Sequence, residues 1–250
     1  MTDARGQVRV EDGPKRVRAY KGGQLIADTT RVKLVWEAPY YPTYYFPASD
    51  VRLELLTPTG RTAHSPSRGD AQVLSLVAGG SDAPDAALRY SHSPIDTISE
   101  HLRFDWDAMD EWLEEDEPVY THARSPYVRV DILASSRHVE VLVGGVTVAD
   151  SRQPWLLFET GLPTRYYLPL SDVRLDLLRP STTTTRCPYK GTAAYWSVDA
   201  GGTVLTDAVW IYRTPLPESQ KIAGLAAFFN ERFDIRVDGE LLERPSTVFS

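Results

Sequence analysis

Sliding the chain along itself by 122 positions aligns residues 17–90 with residues 139–212 without a gap, and 29 of the 74 pairs are identical. The densest stretch sets YYFPASDVRLELLTP, from Tyr44, against YYLPLSDVRLDLLRP, from Tyr166. Identity at that level over so long a span requires two copies of one fold rather than a solenoid of short units. A chain of 250 residues gives each copy enough length to bury a core of its own. The expected domains are 1–118 and 119–250. The junction falls where the acidic run ends near Pro118 and THARSP follows.

Both copies open with the same hairpin signal, a glycine pair (Gly22 and Gly23, Gly144 and Gly145) between alternating segments. Glycine reaches the positive φ that so tight a turn needs. In the Tyr-Tyr block Val51, Leu53 and Leu55 alternate with Arg52 and Glu54, and Val173, Leu175 and Leu177 repeat the pattern, which predicts a strand with one wet face. Thirteen tyrosines and six tryptophans add to the strand signal. A helix is expected after LPES, where Pro217 and Glu218 suit a first turn and Ile222, Leu225, Ala226 and Phe229 fall on one face. Its counterpart starts near Ser93 and Pro94, and the acidic FDWDAMDEWLEEDEP extends it. The fold class is mainly β: two tandem copies of a small antiparallel-sheet domain, each with a short helix.

The charge balance narrows the function classes. Thirty-four acidic against 27 basic residues, a net charge of -7, repel a phosphate backbone, so no nucleic-acid partner is expected. One cysteine makes no internal disulfide. Neither a long apolar stretch nor a charged start leading into an apolar run is seen, so the expectation is a cytoplasmic protein without a membrane partner. Five histidines without ligand spacing and a single thiol predict neither a metal nor a cofactor.

The segment TTTTRCPYKGTAAYW gathers hydroxyls, two cations, a thiol and two large aromatics. Flanked by Arg186 and Lys190, Cys187 is a candidate nucleophile, since cations favour the thiolate; the competing reading is a small buried hydrophobe. Lys190, Arg186 and Arg165 are candidates to hold a phosphate or carboxylate, although no P-loop or GxGxxG occurs and turn cations are often simply solvated. Tyr195 and Trp196 are adjacent on a strand, so one faces a core and the other a groove. Glu37 and Glu159, like Asp50 and Asp172, recur in both copies. Either a general base or a role in the fold accounts for that. The candidate site is therefore Cys187, Glu159 and Tyr189 for chemistry, with Lys190, Arg186, Arg165, Trp196 and Tyr167 holding the ligand. Where the second copy has Arg186, Cys187, Tyr189, Lys190, Tyr195 and Trp196, the first has His64, Ser65, Ser67, Arg68, Val73 and Leu74. That asymmetry predicts one working site in the second copy and a divergent first copy.

The run CPYKGTAAYWSV, after YYLPLSDVRLDLL and before DAVWIYRTPLPE, resembles domain-of-unknown-function family 427, over about residues 7–118 and 125–245. The tandem arrangement is similar to that of bacterial proteins of this family. The resemblance implies a β-tent-like fold of bent antiparallel sheets, related in topology to zinc-carrying modules, and brings a nucleotidyltransferase-type label but no established catalytic residues. The resulting expectation is an enzyme or enzyme-like protein acting on a small anionic metabolite in the second domain. Two alternatives stay open: a non-catalytic small-molecule binding module, and an assembly protein whose aromatic surfaces pair chains into a homodimer.

Overall fold

The computed structural model describes residues 8–247; residues 1–7 and 248–250, the outer ends of the two expected domains, lie outside the described residues. The chain divides into two compact units, Met1–Ser125 and Pro126–Ser250. The first runs on past Pro118 because Val119 and Ala123 are buried in its core.

Each unit is a pair of antiparallel sheets, one of seven strands and one of four, and the strand order repeats from unit to unit. In the second unit the long sheet runs Val130–Ala134, Trp155–Glu159, Arg165–Leu168, Ala226–Phe228, Thr203–Tyr212, Gly191–Ala200, Leu178–Cys187. The small sheet runs Val146–Ser151, Val139–Val143, Asp234–Val237, Glu240–Leu241. Period-2 alternation sends Val139, Val141 and Val143 into the space between the sheets, where they meet Leu156, Leu168, Val198 and Phe228. The first unit builds its core the same way from Val17, Ala19, Phe46, Leu76, Phe104 and Trp112.

The paired glycines have a second role. Gly22 and Gly79 lie at the tips of two hairpins in different sheets, both with positive φ, and a Cβ on Gly22 would come within 2.3 Å of the Ala78 carbonyl oxygen. Gly144 and Gly201 meet in the second unit in the same way. Two backbones in contact leave no room for a side chain, so both Gly-Gly pairs recur in both copies.

Three local expectations are corrected. The Val51, Leu53, Leu55 alternation belongs to no strand: the chain makes 3-10 turns at Ala48–Asp50 and Leu53–Leu55, and again at Leu170–Asp172 and Leu175–Leu177. The chain here crosses between two strands of the long sheet and touches the small sheet on the way, tied by the Arg52 N–H donating to the Ile26 carbonyl at 2.9 Å. All three apolar side chains still reach the core, so alternation marked burial without marking a strand. The shared aspartates anchor these turns, Asp50 accepting from the Thr29 hydroxyl and Asp172 from that of Ser151, each at 2.6 Å.

The acidic segment does not extend a helix. It forms strands His101–Phe104 and Glu111–Glu114 around a 3-10 turn, Trp106–Ala108. Leu102, Phe104 and Trp112 are buried, and Trp106 stacks on Trp112 with ring centroids 4.7 Å apart, so the apolar residues of this run serve the core. After LPES a 3-10 turn, Pro217–Ile222, gives way at Gly224 (φ 72°) to strand Ala226–Phe228. There Ala227 pairs with both Tyr167 and Trp210, and a strand hydrogen-bonded on two sides outcompetes one amphipathic helical turn. Each unit thus has its short helices, all of them 3-10 among the described residues, where no helix is long and apolar enough to cross a membrane.

Candidate functional site

The face of the long sheet turned away from the small one carries most of the candidate site residues. Register fixes which side chains share it. Trp155 lies opposite Tyr167 and Leu157 opposite Arg165, so alternation puts Glu159 on this face too. On the far strands Tyr212 lies opposite Ala193, Trp210 opposite Tyr195, and Cys187 opposite Gly191. Ile132, Leu157, Tyr167, Ala193, Trp210, Tyr212 and Ile222 form a second core here. The 3-10 turn covers it, held by Leu216 N–H to the Lys190 carbonyl (3.1 Å), the Ser219 hydroxyl to the Tyr189 carbonyl (3.0 Å) and Lys221 Nζ to the Ile132 carbonyl (3.0 Å).

At the rim of this second core Lys190 Nζ meets Glu159 Oε2 at 2.5 Å, with side chains only 11% and 9% exposed. Lys190 comes from the turn after Cys187 and Glu159 from the end of its strand. Burial, first of all, pushes the Tyr167 and Tyr212 phenols well above their ordinary range, and the nearby Glu159 carboxylate and Cys187 thiol push in the same direction. Trp210 Nε1 donates to the Tyr167 hydroxyl at 3.1 Å, and the Thr185 and Tyr195 hydroxyls share a hydrogen bond of 2.8 Å. Glu159, Lys190, Cys187, Tyr167 and Tyr212 thus form one polar group in an apolar setting. It offers a carboxylate, an ammonium, a half-buried thiol and two protonated phenols.

The remaining predicted residues are placed elsewhere. Arg165 shares the face but is committed: its guanidinium makes a two-pronged pair with Glu231 at 2.7 and 2.8 Å, donates to Asn230 Oδ1 at 3.1 Å, and lies over the Trp210 and Phe229 rings. Its side chain is 7% exposed and that of Glu231 1%. Burial pushes the Glu231 carboxyl up, but hydrogen bonds from Arg165 and Thr247 outweigh it and leave the pKa lowered. Arg186 alternates with Cys187 and is exposed on the other face. Trp196 packs against the inner core, with the Arg213 guanidinium 5.9 Å from its ring, while Tyr195 packs on the outer one. Tyr189 is half-buried in the turn. Tyr212 and Trp210 belong to the group although the sequence reading did not select them. Tyr212 did carry a signal, being identical to Tyr90 at the equivalent position of the first copy.

The first unit holds the same arrangement on its own outer face. Tyr45 donates to Glu37 Oε1 at 2.6 Å, Arg68 lies 3.5 Å from Glu37 Oε2, and Arg68 Nε donates to the Tyr90 hydroxyl at 3.3 Å. Burial, then the charge of Glu37, raises the Tyr45 phenol far above its ordinary value. Arg103 also approaches Glu37, at 3.5 Å, and Ser65 stands where the second unit has Cys187. The cation, the carboxylate and both phenols are therefore common to the two units. The thiol belongs to the second alone.

Comparison with curated proteins gives no match. Residues 9–115 and 131–239 each match the family described as Domain of unknown function (DUF427), one match in each compact unit. The chain belongs to this family and carries its domain twice in tandem.

Proposed function

We propose that the second unit works as an enzyme or enzyme-like domain in the cytoplasm, taking a small anionic metabolite at the rim of its outer core. The observation that carries this reading is the Lys190–Glu159 pair, on the same largely apolar sheet face as Cys187 and two protonated phenols. Glu159 takes one of the three N–H donors of the ammonium, and a phosphate or carboxylate engages the others. In a low-dielectric setting such a contact is stronger than in water. In this reading Glu159 serves as the base and Cys187, on the same face, as the nucleophile.

Binding without turnover is the second reading. It is favoured by the charge of Lys190 being already met by Glu159, which lowers the net pull on an anion. A thermal-shift screen of the whole chain against inorganic phosphate and small phosphorylated and carboxylated metabolites, with native mass spectrometry for retained ligand, tests both. Stabilisation should be lost in Lys190→Arg, which keeps the charge but replaces a compact ammonium with a fork. Cys187→Ser should keep binding under either reading and abolish product formation only under the first. If no compound stabilises the protein and no mass is retained, the proposal fails.

A further inference from the structure

We infer that the second unit carries a separate surface site for a divalent transition-metal cation, formed by His138, Glu140 and Asp150 on its small sheet. Valines 139, 141 and 143 face the core, so alternation turns His138 and Glu140 outward. Asp150 lies directly opposite Glu140 across the hairpin that turns at Gly144 and Gly145. One ligand atom from each of the three lies within 4.8 Å of the others, and His138 Nε2 is already 2.6 Å from Asp150 Oδ1. Zinc bound here would take the place of the proton in that hydrogen bond, with Nε2 and Oδ1 moving apart and the Glu140 carboxylate moving in, to reach the bond lengths of about 2.0–2.2 Å that zinc takes with such ligands.

The first unit supplies the independent observation. Its equivalent residues are Arg16, Arg18 and Asp28. There Arg16 caps Asp28 with two hydrogen bonds, Nε to Oδ1 at 2.7 Å and Nη2 to Oδ2, and the guanidinium holds the Asp28 pKa down. The shared hairpin thus places a cation on this aspartate. In the second unit both arginines are gone, replaced by an imidazole and a second carboxylate around the same aspartate. Of the nearby basic groups only part is available to meet that charge. Arg137 is spent on Asp238 at 2.7 Å, which leaves Arg236, across from Glu140 on the neighbouring strand, as the cation facing the group. One nitrogen and two oxygens with open positions suit zinc and its borderline neighbours better than magnesium or calcium, which take oxygen ligands.

The site owes nothing to the Lys190–Glu159 reading, since it lies on the other sheet. The test is zinc titration of the chelator-treated full chain by calorimetry, with cobalt absorption as a second readout. The expected result is one zinc per chain. Affinity should fall at least tenfold in His138→Ala and in the solvent-facing Glu140→Gln, and stay unchanged in His64→Ala, which removes another exposed histidine–aspartate pair. The double change His138→Arg with Glu140→Arg, which restores the first unit's side chains, should abolish binding while leaving the metal-free melting temperature intact. Absence of saturable zinc binding up to about 1 mM, or binding that survives His138→Ala and Glu140→Gln, overturns the site.

Discussion

Replacing Lys190 with methionine leaves Glu159 as a carboxylate without its ammonium in a place nine-tenths closed to water. Breaking a buried ion pair in this way costs about 3–5 kcal/mol, against about 0–1 kcal/mol for a pair in open solvent. Both partners keep some exposure, so the low end applies, about 3 kcal/mol. In a unit of this size that lowers the melting temperature by roughly 10 °C. The equivalent pair in the first unit is longer, 3.5 Å, and more exposed, at 15% and 18%. Glu37 also keeps the Tyr45 hydroxyl and Arg103, so Arg68→Met should cost only about 1 kcal/mol. The double change Lys190→Met with Glu159→Gln removes the stranded charge and should recover all but about 1 kcal/mol. Urea unfolding of the full chain, followed by tryptophan fluorescence and by calorimetry, reads all three. If Lys190→Met and Arg68→Met are equally mild, water screens the second-unit pair and the argument from burial is wrong. If the double variant is as unstable as the single one, the cost was lost packing and not charge.

Two further predictions rest on the titrating groups. Glu231 has a folded pKa below its unfolded value of about 4.3, so its contribution is complete above that pH and lost as pH falls through the lower folded value. Arg165→Met should therefore flatten the acid limb of the stability–pH curve, and parallel curves for the two proteins would refute the assignment. Tyr45, Tyr167 and Tyr212 have folded pKa values raised by burial, so the sign is opposite: their contribution is full below the unfolded value of about 10 and lost as pH rises from there toward the higher folded values. Ultraviolet titration should find these phenols still protonated after the accessible tyrosines have ionised, their late step coinciding with unfolding; a single smooth titration of all thirteen tyrosines would contradict this.

The duplication was legible because an ungapped repeat needs no structural theory to detect. The Gly-Gly turns were legible because only glycine sits comfortably at φ near 55–80° twice in succession. The 3-10 turns were not, since Val51, Leu53 and Leu55 bury alternate side chains as a strand would. Within the site, period 2 correctly separates Tyr195 from Trp196 and Cys187 from Arg186 once the strand is known. The sequence cannot say that Lys190 reaches across the sheet to a glutamate 31 positions away, or that Arg165 is consumed by Glu231. Those pairings are set by strand order, which is long-range. The histidine–carboxylate group was hidden for the same reason, because ligand spacing was sought along the chain and two of its three members meet only across a hairpin.

Having two copies in one chain lets fold and site requirements be weighed against each other. Glu37 and Glu159, Tyr45 and Tyr167, Tyr90 and Tyr212 keep their identities, and Arg68 and Lys190 keep their charge. An ion pair on an apolar face is a poor stabiliser, since well-packed hydrophobic residues in its place are often neutral or better. Stability alone therefore gives little reason for both copies to retain it, which is consistent with the proposed use of the second unit's outer face. The differences lie in both donor geometry and charge. Arg68 presents a planar fork, partly taken up by Tyr90, in the unit that has Ser65; Lys190 presents a compact ammonium in the unit that has Cys187. The first face also carries a second guanidinium, Arg103, beside its glutamate, so the two faces differ in charge as well as in donor geometry.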